Sequence, residues 1–398
     1  MHKKQEALLF PVILLIAFPQ LNETIYAIAL PGIEQYFQLN KALLRYTLTS
    51  YLIGFGLGTL LWGYLSDLIG RRKSIISGVI FYVLGCLLCA KSNSLNSLLI
   101  ARFVQGVGIS FASVMGQTLI RDFIPQSKRL ILFNRINIIL SFIPAIGLVL
   151  GIFMVRLFAW QWIFFLFGII SIIILISAAI FIPKIQTTRS GKRLYLKCLR
   201  QFIFDIHGLR LGFFVGGSLG ILFGYFSASI YFFKEVFGVS DINFIIISLF
   251  LSVALYIGAL ISQRTNYNAS DKIFFSIITQ AIFASVFYFL VKVEVITPTN
   301  QYGLLLSILF AYAVVGSIMI IIPNCLSSIL NEYGKYIGTA SSVYGFYYYI
   351  ITACFISVFN FIDIKSIEGL PGFMLLSTCF LFCVLLVHHK EKLKKVFC

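Results

Sequence analysis

One carboxylate in the sequence, Glu23, is placed where it could carry a proton. The other acidic residues fall at predicted helix ends, breaks or termini, whereas Glu23 lies well inside a long apolar stretch. An ionisable side chain inside an apolar span is costly and is usually functional. Because an apolar environment favours the neutral carboxyl over the carboxylate, Glu23 could bind and release a proton. Tyr26 and Gln20 share its helix face through their spacing of three residues.

Arg102 is the one basic residue deep inside an apolar stretch. The segments that hold Glu23 and Arg102 run in opposite directions, and both residues fall roughly 8–11 Å from the same surface by helical rise. Opposite charges at one depth predict a proton-dependent conformational switch. The alternative, a static ion pair that holds the amino-terminal helices together, fits Arg102 nearly as well.

The composition requires membrane-spanning helices to position these residues. Of the 398 residues, 60% are hydrophobic and 11% are charged, against about 25% charged in soluble domains. This excludes a soluble enzyme and a disordered chain. We predict an all-α membrane protein with twelve transmembrane helices. These are expected near residues 8–30, 44–65, 74–91, 97–119, 131–156, 160–183, 210–232, 243–263, 272–292, 302–325, 336–360 and 370–388.

The net charge of +17 is explained by topology. Twelve spans place both termini on one side, and the breaks on that side hold 23 of the 31 basic residues. This asymmetry predicts that both termini are cytoplasmic, in the inner membrane, and makes a nucleic-acid partner unnecessary. The 23 residues are Lys3, Lys4, Arg71, Arg72, Lys73, Arg121, Lys128, Arg129, Arg135, Lys184, Arg189, Lys192, Arg193, Lys197, Arg200, Arg210, Arg264, Lys272, Lys335, Lys390, Lys392, Lys394 and Lys395.

The longest predicted break, residues 184–209, divides the chain into two halves. We predict an amino-terminal six-helix bundle over 1–183 and a carboxy-terminal six-helix bundle over 210–398. Within the break, apolar residues recur at helical spacing among basic ones, which fits a short helix on an anionic leaflet. A solvated linker fits equally well.

A motif follows the second span. The stretch from Gly63 to Lys73 reads GYLSDLIGRRK and resembles the G-x-L-a-D-r-x-G-r-k signature of the major facilitator superfamily, with Leu68 as its one departure. Arg102-Phe103-Val104-Gln105-Gly106 is similar to a second motif of that family, R-x-x-q-G. Together with Asn324 and the stretch Gly338–Ser342, these residues resemble the drug/proton antiporter branch of the bicyclomycin-resistance (Bcr/CflA) type.

The resemblance implies two six-helix bundles that rock around a central cavity. It also implies that the loop with Gly63, Asp67, Gly70, Arg71 and Arg72 latches the two halves on the cytoplasmic face; a simple topology anchor is the alternative. Two features depart from the branch. In the fifth-helix motif, Leu148 stands where the branch has a proline and Ile152 where it has a glycine. In the first helix, Thr24 aligns with the acid of the branch, one place after Glu23.

Small and aromatic residues complete the sequence pattern. The glycines Gly54, Gly56, Gly58, Gly106 and Gly108 predict close helix packing rather than a phosphate-binding loop. We expect the cavity to accept a bulky, apolar or cationic ligand through stacking and cation–π contacts, although lipid-facing positions would explain any single aromatic residue. The candidate cavity residues are Tyr26, Gln105, Gln117, Asn137, Tyr225, Tyr344 and Tyr348.

These observations predict a secondary active transporter and not an enzyme. It would export small, amphiphilic organic compounds in exchange for protons, as a monomer, with the proton gradient as its energy source and no cofactor. A dedicated transporter of one metabolite, such as a siderophore, is the alternative.

Overall fold

Twelve long helices make up the described part of the protein. The computed structural model describes residues 2–38, 41–124, 136, 138–182, 200, 205–332, 337–359, 362 and 366–397. Within these ranges, twelve helices are long and apolar enough to cross a membrane, which confirms the predicted fold class. They are α1 (His2–Phe37), α2 (Lys41–Ile69), α3 (Arg71–Ala90), α4 (Leu95–Phe123), α5 (Ile143–Leu157), α6 (Trp162–Phe181), α7 (Ile206–Tyr231), α8 (Asp241–Arg264), α9 (Ala269–Lys292), α10 (Gly303–Glu332), α11 (Ile337–Phe359) and α12 (Gly369–Phe397).

Helix α1 is longer than the sequence predicts. Its span runs from Leu9 to Phe37 and continues through Pro31, whereas the prediction ended it at residue 30. A membrane helix tolerates proline because neighbouring helices satisfy the freed backbone groups. Glu23 therefore lies at the centre of its span, fourteen residues from either end. The shorter span of the sequence prediction, which ended at residue 30, placed Glu23 seven residues from that end.

The boundary between the predicted halves also shifts. Helix α7 begins at Ile206, where the Asp205 carboxylate accepts a hydrogen bond of 3.1 Å from the backbone N–H of His207. This is the arrangement of an N-cap, and it brings the last residues of the predicted linker into α7. Most of the linker lies outside the described residues. A π-helical turn, Phe232–Val236, continues α7 at its other end.

We refer to α1–α6 as the first half and to α7–α12 as the second half. In the first half, α4 packs against α1, α2 and α3; in the second, α10 packs against α7, α8 and α9. The halves meet where α2 packs on α11, α5 on α8, and α1 on α7. We call the end of the molecule where α1 begins and α12 ends the termini side, and the opposite end the far side.

Glycines bring α2 and α4 into backbone contact. A Cβ on Gly54 would overlap the carbonyl oxygen of Phe103, and a Cβ on Gly106 would overlap that of Tyr51. Close packing at the predicted glycines is thus confirmed, and it fixes the α2 backbone against α4. Across the halves, a Cβ on Gly56 would lie 3.3 Å from the Phe346 carbonyl oxygen of α11.

Candidate functional site

The structure brings the two predicted charged residues together in the first half. One guanidinium nitrogen of Arg102 (Nη2) lies 3.9 Å from Glu23 Oε1, and the side chains are 0% and 4% exposed. Neither Glu23 oxygen has a hydrogen-bond partner in the described part of the chain, and neither does this Arg102 nitrogen. The pair is therefore held by charge attraction and not by a formed hydrogen bond.

Two tyrosine rings enclose the Arg102 guanidinium. Its carbon lies 3.8 Å from the ring centroid of Tyr26 and 4.1 Å from that of Tyr51. A desolvated cation between two aromatic faces is strongly attracted to both. The Tyr26 hydroxyl donates a hydrogen bond of 2.6 Å to Thr47. Tyr26, predicted as a cavity residue, supports Arg102 instead.

Gln105 holds Arg102 from a third direction. Its side-chain oxygen accepts a hydrogen bond of 2.5 Å from Arg102 Nη1, and its amide nitrogen donates to the Cys86 sulfur at 3.2 Å. The spacing of three residues in R-x-x-Q puts both side chains on one face of α4. Gln105 is thus also a supporting residue and does not line the cavity that the sequence predicts for it.

A cavity of about 170 Å³ lies between the two halves beside this cluster. Glu23 is the one charged side chain among the described residues that line it. The polar lining comes from Gln20, Ser113 and Gln117, and the rest is aromatic or aliphatic. The full lining comprises Ile16, Pro19, Gln20, Glu23, Tyr51, Leu52, Phe55, Ser113, Gln117, Leu140, Val215, Leu219, Leu222, Phe223, Met319, Ile322, Pro323, Leu326, Tyr348 and Tyr349.

The predicted cavity residues divide into two groups. Gln117 and Tyr348 line the cavity. Tyr225 does not, because its ring packs on Tyr312 with centroids 6.4 Å apart. Tyr344 is buried one turn from Tyr348, against whose ring it packs at 5.4 Å. Asn137 lies outside the described residues.

Two cavity residues of α2 are absent from the sequence prediction. Tyr51 and Phe55 line the cavity with Glu23, and both are almost fully buried. A signal for them exists in the sequence. Tyr51 lies three residues before Gly54 and Phe55 one residue after it. The two aromatic residues are four apart, so they share one side of α2, next to the glycine face that meets α4.

The predicted latch motif forms a charge cluster on the termini side. Gly70 has a φ of 89°, a backbone conformation that suits glycine, and it leads directly into α3. Arg71 then donates to Asp67 at 2.6 Å and to Asp122 at 3.0 Å, which ties α2, α3 and α4 together. Gly63 of the motif lies against Ser342 of α11, across the halves. Arg72 is half-buried beside this cluster.

A second ionic cluster joins the halves on the far side. Asp241, at the start of α8, accepts from Arg156 of α5 at 2.8 Å and pairs with Lys234 of the π-helical turn at 2.5 Å. We call these three residues the far-side lock. Nearby, Arg45 of α2 donates to the backbone carbonyl of Ile362 at 3.3 Å, which adds a second link between the halves.

The chain resembles known transporters over nearly its whole length. A family model, the Major Facilitator Superfamily, matches residues 12–357. An uncharacterised transporter of Rickettsia felis is 29% identical over 94% of this chain and 95% of its own length. Multidrug resistance protein D of Escherichia coli is 24% identical over 68% of this chain and 69% of its own.

Solved structures agree with this assignment at the level of the fold. The inward-open structure of the xylose transporter XylE from Escherichia coli superposes with a TM-score of 0.71, at 13% identity and 95% coverage of both chains. Together with the twelve apolar helices, these likenesses identify a multi-pass membrane transporter and not an enzyme. The chain belongs to the Major Facilitator Superfamily.

Proposed function

We propose that this transporter exports small amphiphilic organic molecules in exchange for protons, by alternating access of the central cavity. The observation that carries the proposal is the position of Glu23, which lines the cavity and lies 3.9 Å from the buried Arg102. One carboxylate is thereby exposed to a ligand on one side and to a fixed cation on the other. A proton, a substrate and Arg102 all compete for its charge.

Protonation of Glu23 would change the balance between conformations. Arg102 stays charged at any physiological pH, so a proton on Glu23 removes the attraction between the two side chains. At this separation the attraction is about 4 kcal/mol for an effective dielectric constant of 20. Where only one conformation makes this contact, losing it shifts the equilibrium by about a thousandfold, against the roughly ten-thousandfold that converts a 1:99 mixture to 99:1. Proton binding on one side of the membrane and release on the other would then drive the cycle.

The lining of the cavity supports an amphiphilic substrate. Rings of Tyr51, Phe55, Phe223, Tyr348 and Tyr349 offer stacking surfaces, and the carboxylate of Glu23 offers a counter-charge. Relatives named for multidrug resistance, such as the Escherichia coli protein above, are consistent with this substrate class.

A dedicated transporter of one metabolite, such as a siderophore, is the second candidate. Leu148 favours this candidate. By the resemblance described above, drug exporters of the antiporter branch carry a proline at this position of their fifth helix. Leu148 is buried, and helix α5 packs against α1, which holds Glu23. The α1–α5 contact therefore differs from the drug-exporter pattern next to the proposed coupling residue.

Transport in proteoliposomes tests the proposal. The full chain is reconstituted with an acidic interior, the voltage is clamped to zero, and ethidium is added outside. Ethidium suits the experiment because its permanent charge prevents passive trapping by pH. For exchange of one proton per substrate, each unit of pH gradient supports about a tenfold accumulation. We expect the wild type to accumulate ethidium and Glu23→Gln to show no gradient-driven accumulation.

The control is Glu294→Gln, which neutralises an exposed carboxylate between α9 and α10 and should transport like the wild type. Undiminished gradient-driven accumulation by Glu23→Gln would remove the coupling role of this residue. Two results together would favour the siderophore candidate. The wild-type protein would fail to transport ethidium in proteoliposomes, and a strain that lacks the gene would grow poorly only under iron limitation.

A further inference from the structure

A row of aromatic rings connects Arg102 to the second half. The Tyr51 ring lies on the guanidinium at 4.1 Å, and the Phe55 ring follows with a centroid separation of 6.1 Å. Phe55 then contacts Tyr349 of α11, with centroids 4.0 Å apart. We call Tyr51, Phe55 and Tyr349 the ring row. It starts on a buried cation of the first half and ends on a helix of the second.

The backbone beneath the ring row cannot move independently. Gly54 and Gly106 press α2 against α4 with no room for a Cβ, so Tyr51 and Arg102 are mounted on one rigid unit. The side chains are packed at interior density, where a displaced group must displace its neighbours. All three residues line the cavity, so the cavity is the space beside the ring row into which a displaced ring can move. Motion of the ring row is therefore directed along the row and into the cavity.

Arg102 has a reason to move. Its Nη2 lies 3.9 Å from Glu23, beyond the roughly 2.7–2.9 Å of a charge-assisted hydrogen bond. Nε and Nη2 of Arg102 and both oxygens of Glu23 have no hydrogen-bond partner among the described residues. A charged Glu23 pulls the guanidinium toward itself, whereas a protonated Glu23 leaves it held by Gln105 and by the rings of Tyr26 and Tyr51. The ring of Tyr51, which lies on the guanidinium, must follow it.

We propose that the ring row transmits the protonation state of Glu23 to the contact between α2 and α11. Phe55 and Tyr349 are positioning residues in this role and carry no proton themselves. The proposal rests on the proposed proton coupling and names the path by which the second half would sense it. The α2–α11 contact is suited to respond, because Gly56 brings the two backbones close one residue away from Phe55.

Among the titratable side chains on the helices that pack around Glu23, Arg102 is the cation that responds to the charge of Glu23. Arg102 faces it from α4, Tyr51 from α2 and Tyr349 from α11. Helix α6 carries no titratable side chain, and the one on α5, Arg156, lies at the far side. Of the tyrosines on α7, Tyr225 packs on Tyr312 and Tyr231 donates to Glu34.

The test separates coupling from binding. In the proteoliposomes described above, we compare uphill ethidium accumulation with ethidium exchange at equal pH on both sides. For Phe55→Leu and for Tyr349→Leu we expect uphill accumulation to fall at least about fivefold, the lower end of typical coupling between sites. Equilibrium exchange, which also reports any loss of stacking on ethidium, should fall less than uphill accumulation does, and it should depend less on pH than in the wild type. Tyr349→Phe and Phe55→Tyr keep the rings and should keep full coupling.

Phe164→Leu is the matched control. It removes a buried ring that packs on Tyr26, on the side of Arg102 away from α11, at 6.3 Å, and it should leave coupling intact. Two outcomes overturn the proposal: full coupling in both leucine variants, or equal loss of coupling in Phe164→Leu. The ring-row proposal is tested only against a wild type that shows gradient-driven transport. If the wild type itself shows none, the proposed function fails, and the variants are not needed to show it.

Discussion

At the scale of single residues, Arg102 shows why an arginine and not any cation is needed. Its flat guanidinium lies between the rings of Tyr26 and Tyr51, while Nη1 donates to Gln105 at 2.5 Å. A lysine would keep the charge but could neither stack as a plane nor present a second nitrogen to Glu23.

We expect Arg102→Lys to destabilise the protein and to weaken coupling. Loss of a desolvated cation–π contact costs about 2 kcal/mol, so the thermal unfolding midpoint in detergent should fall clearly. Arg72→Lys, at a half-buried position of the termini-side motif, is the control and should unfold like the wild type. Equal midpoints for Arg102→Lys and the wild type would mean that the stacking adds no stability.

The sequence was sufficient for some of these residues and not for others. Glu23 and Arg102 were predicted because a charge in an apolar span is conspicuous in any single sequence. Tyr26 and Gln105 were assigned to the cavity because helical spacing shows which residues share a helix face. It does not show whether that face contacts another helix or the cavity. Which side of α1 and α4 meets the cavity is decided by contacts between distant helices, which a single sequence does not contain.

At the scale of elements, the crossing of α2 and α4 supports the whole site. Gly54 on α2 and Gly106 on α4 each meet a backbone carbonyl of the other helix. The crossing thus determines where Tyr51 lies relative to Arg102. The glycine spacing predicted a close approach, and the structure adds which helices it joins.

We expect Gly106→Ala to disturb this crossing. Its Cβ would meet the carbonyl of Tyr51, and relieving such overpacking costs roughly 1–3 kcal/mol. Gly168→Ala on α6 is the control, because a Cβ there meets nothing within 4 Å. Stability is measured by thermal unfolding in detergent for both. If the two variants unfold alike, the crossing has more freedom than the structure shows.

At the scale of the whole molecule, the two halves are in contact at both ends. On the far side Asp241 links Arg156 of the first half to Lys234 of the second; on the termini side Gly63 lies against Ser342. Twelve spans were predictable because hydrophobicity is a local property. The pairing of α2 with α11 and of α5 with α8 was not, since it joins residues far apart in the chain.

We expect Asp241→Asn to loosen the far side. The ion pairs are partly exposed and therefore worth at most about 1 kcal/mol, so opening should increase by about fivefold or less. The measurement is the rate at which a water-soluble maleimide labels Thr49→Cys, a buried position on α2 that faces Ser357 of α11. Labelling of the native cysteines alone is subtracted, using Asp241→Asn without the added thiol.

The matched control for the far-side lock is Glu368→Gln. It breaks an ion pair with Lys292 that is also exposed but lies within the second half. Its labelling rate should equal that of the wild type. A faster labelling rate in both variants would mean that losing any exposed ion pair loosens the protein in general. An unchanged rate in both would mean that the far-side lock does not restrain the halves.

The extension of α1 through Pro31 has an electrical consequence. It places Glu23 midway along its span, so a proton that arrives there from either surface has crossed about half of the membrane field. A full crossing is worth about 2.3 kcal/mol per 100 mV, and loading and unloading would each take roughly half of it. Voltage would then act on both steps with similar strength, so the resting potential, as well as the pH on either side, would set how often Glu23 holds its proton.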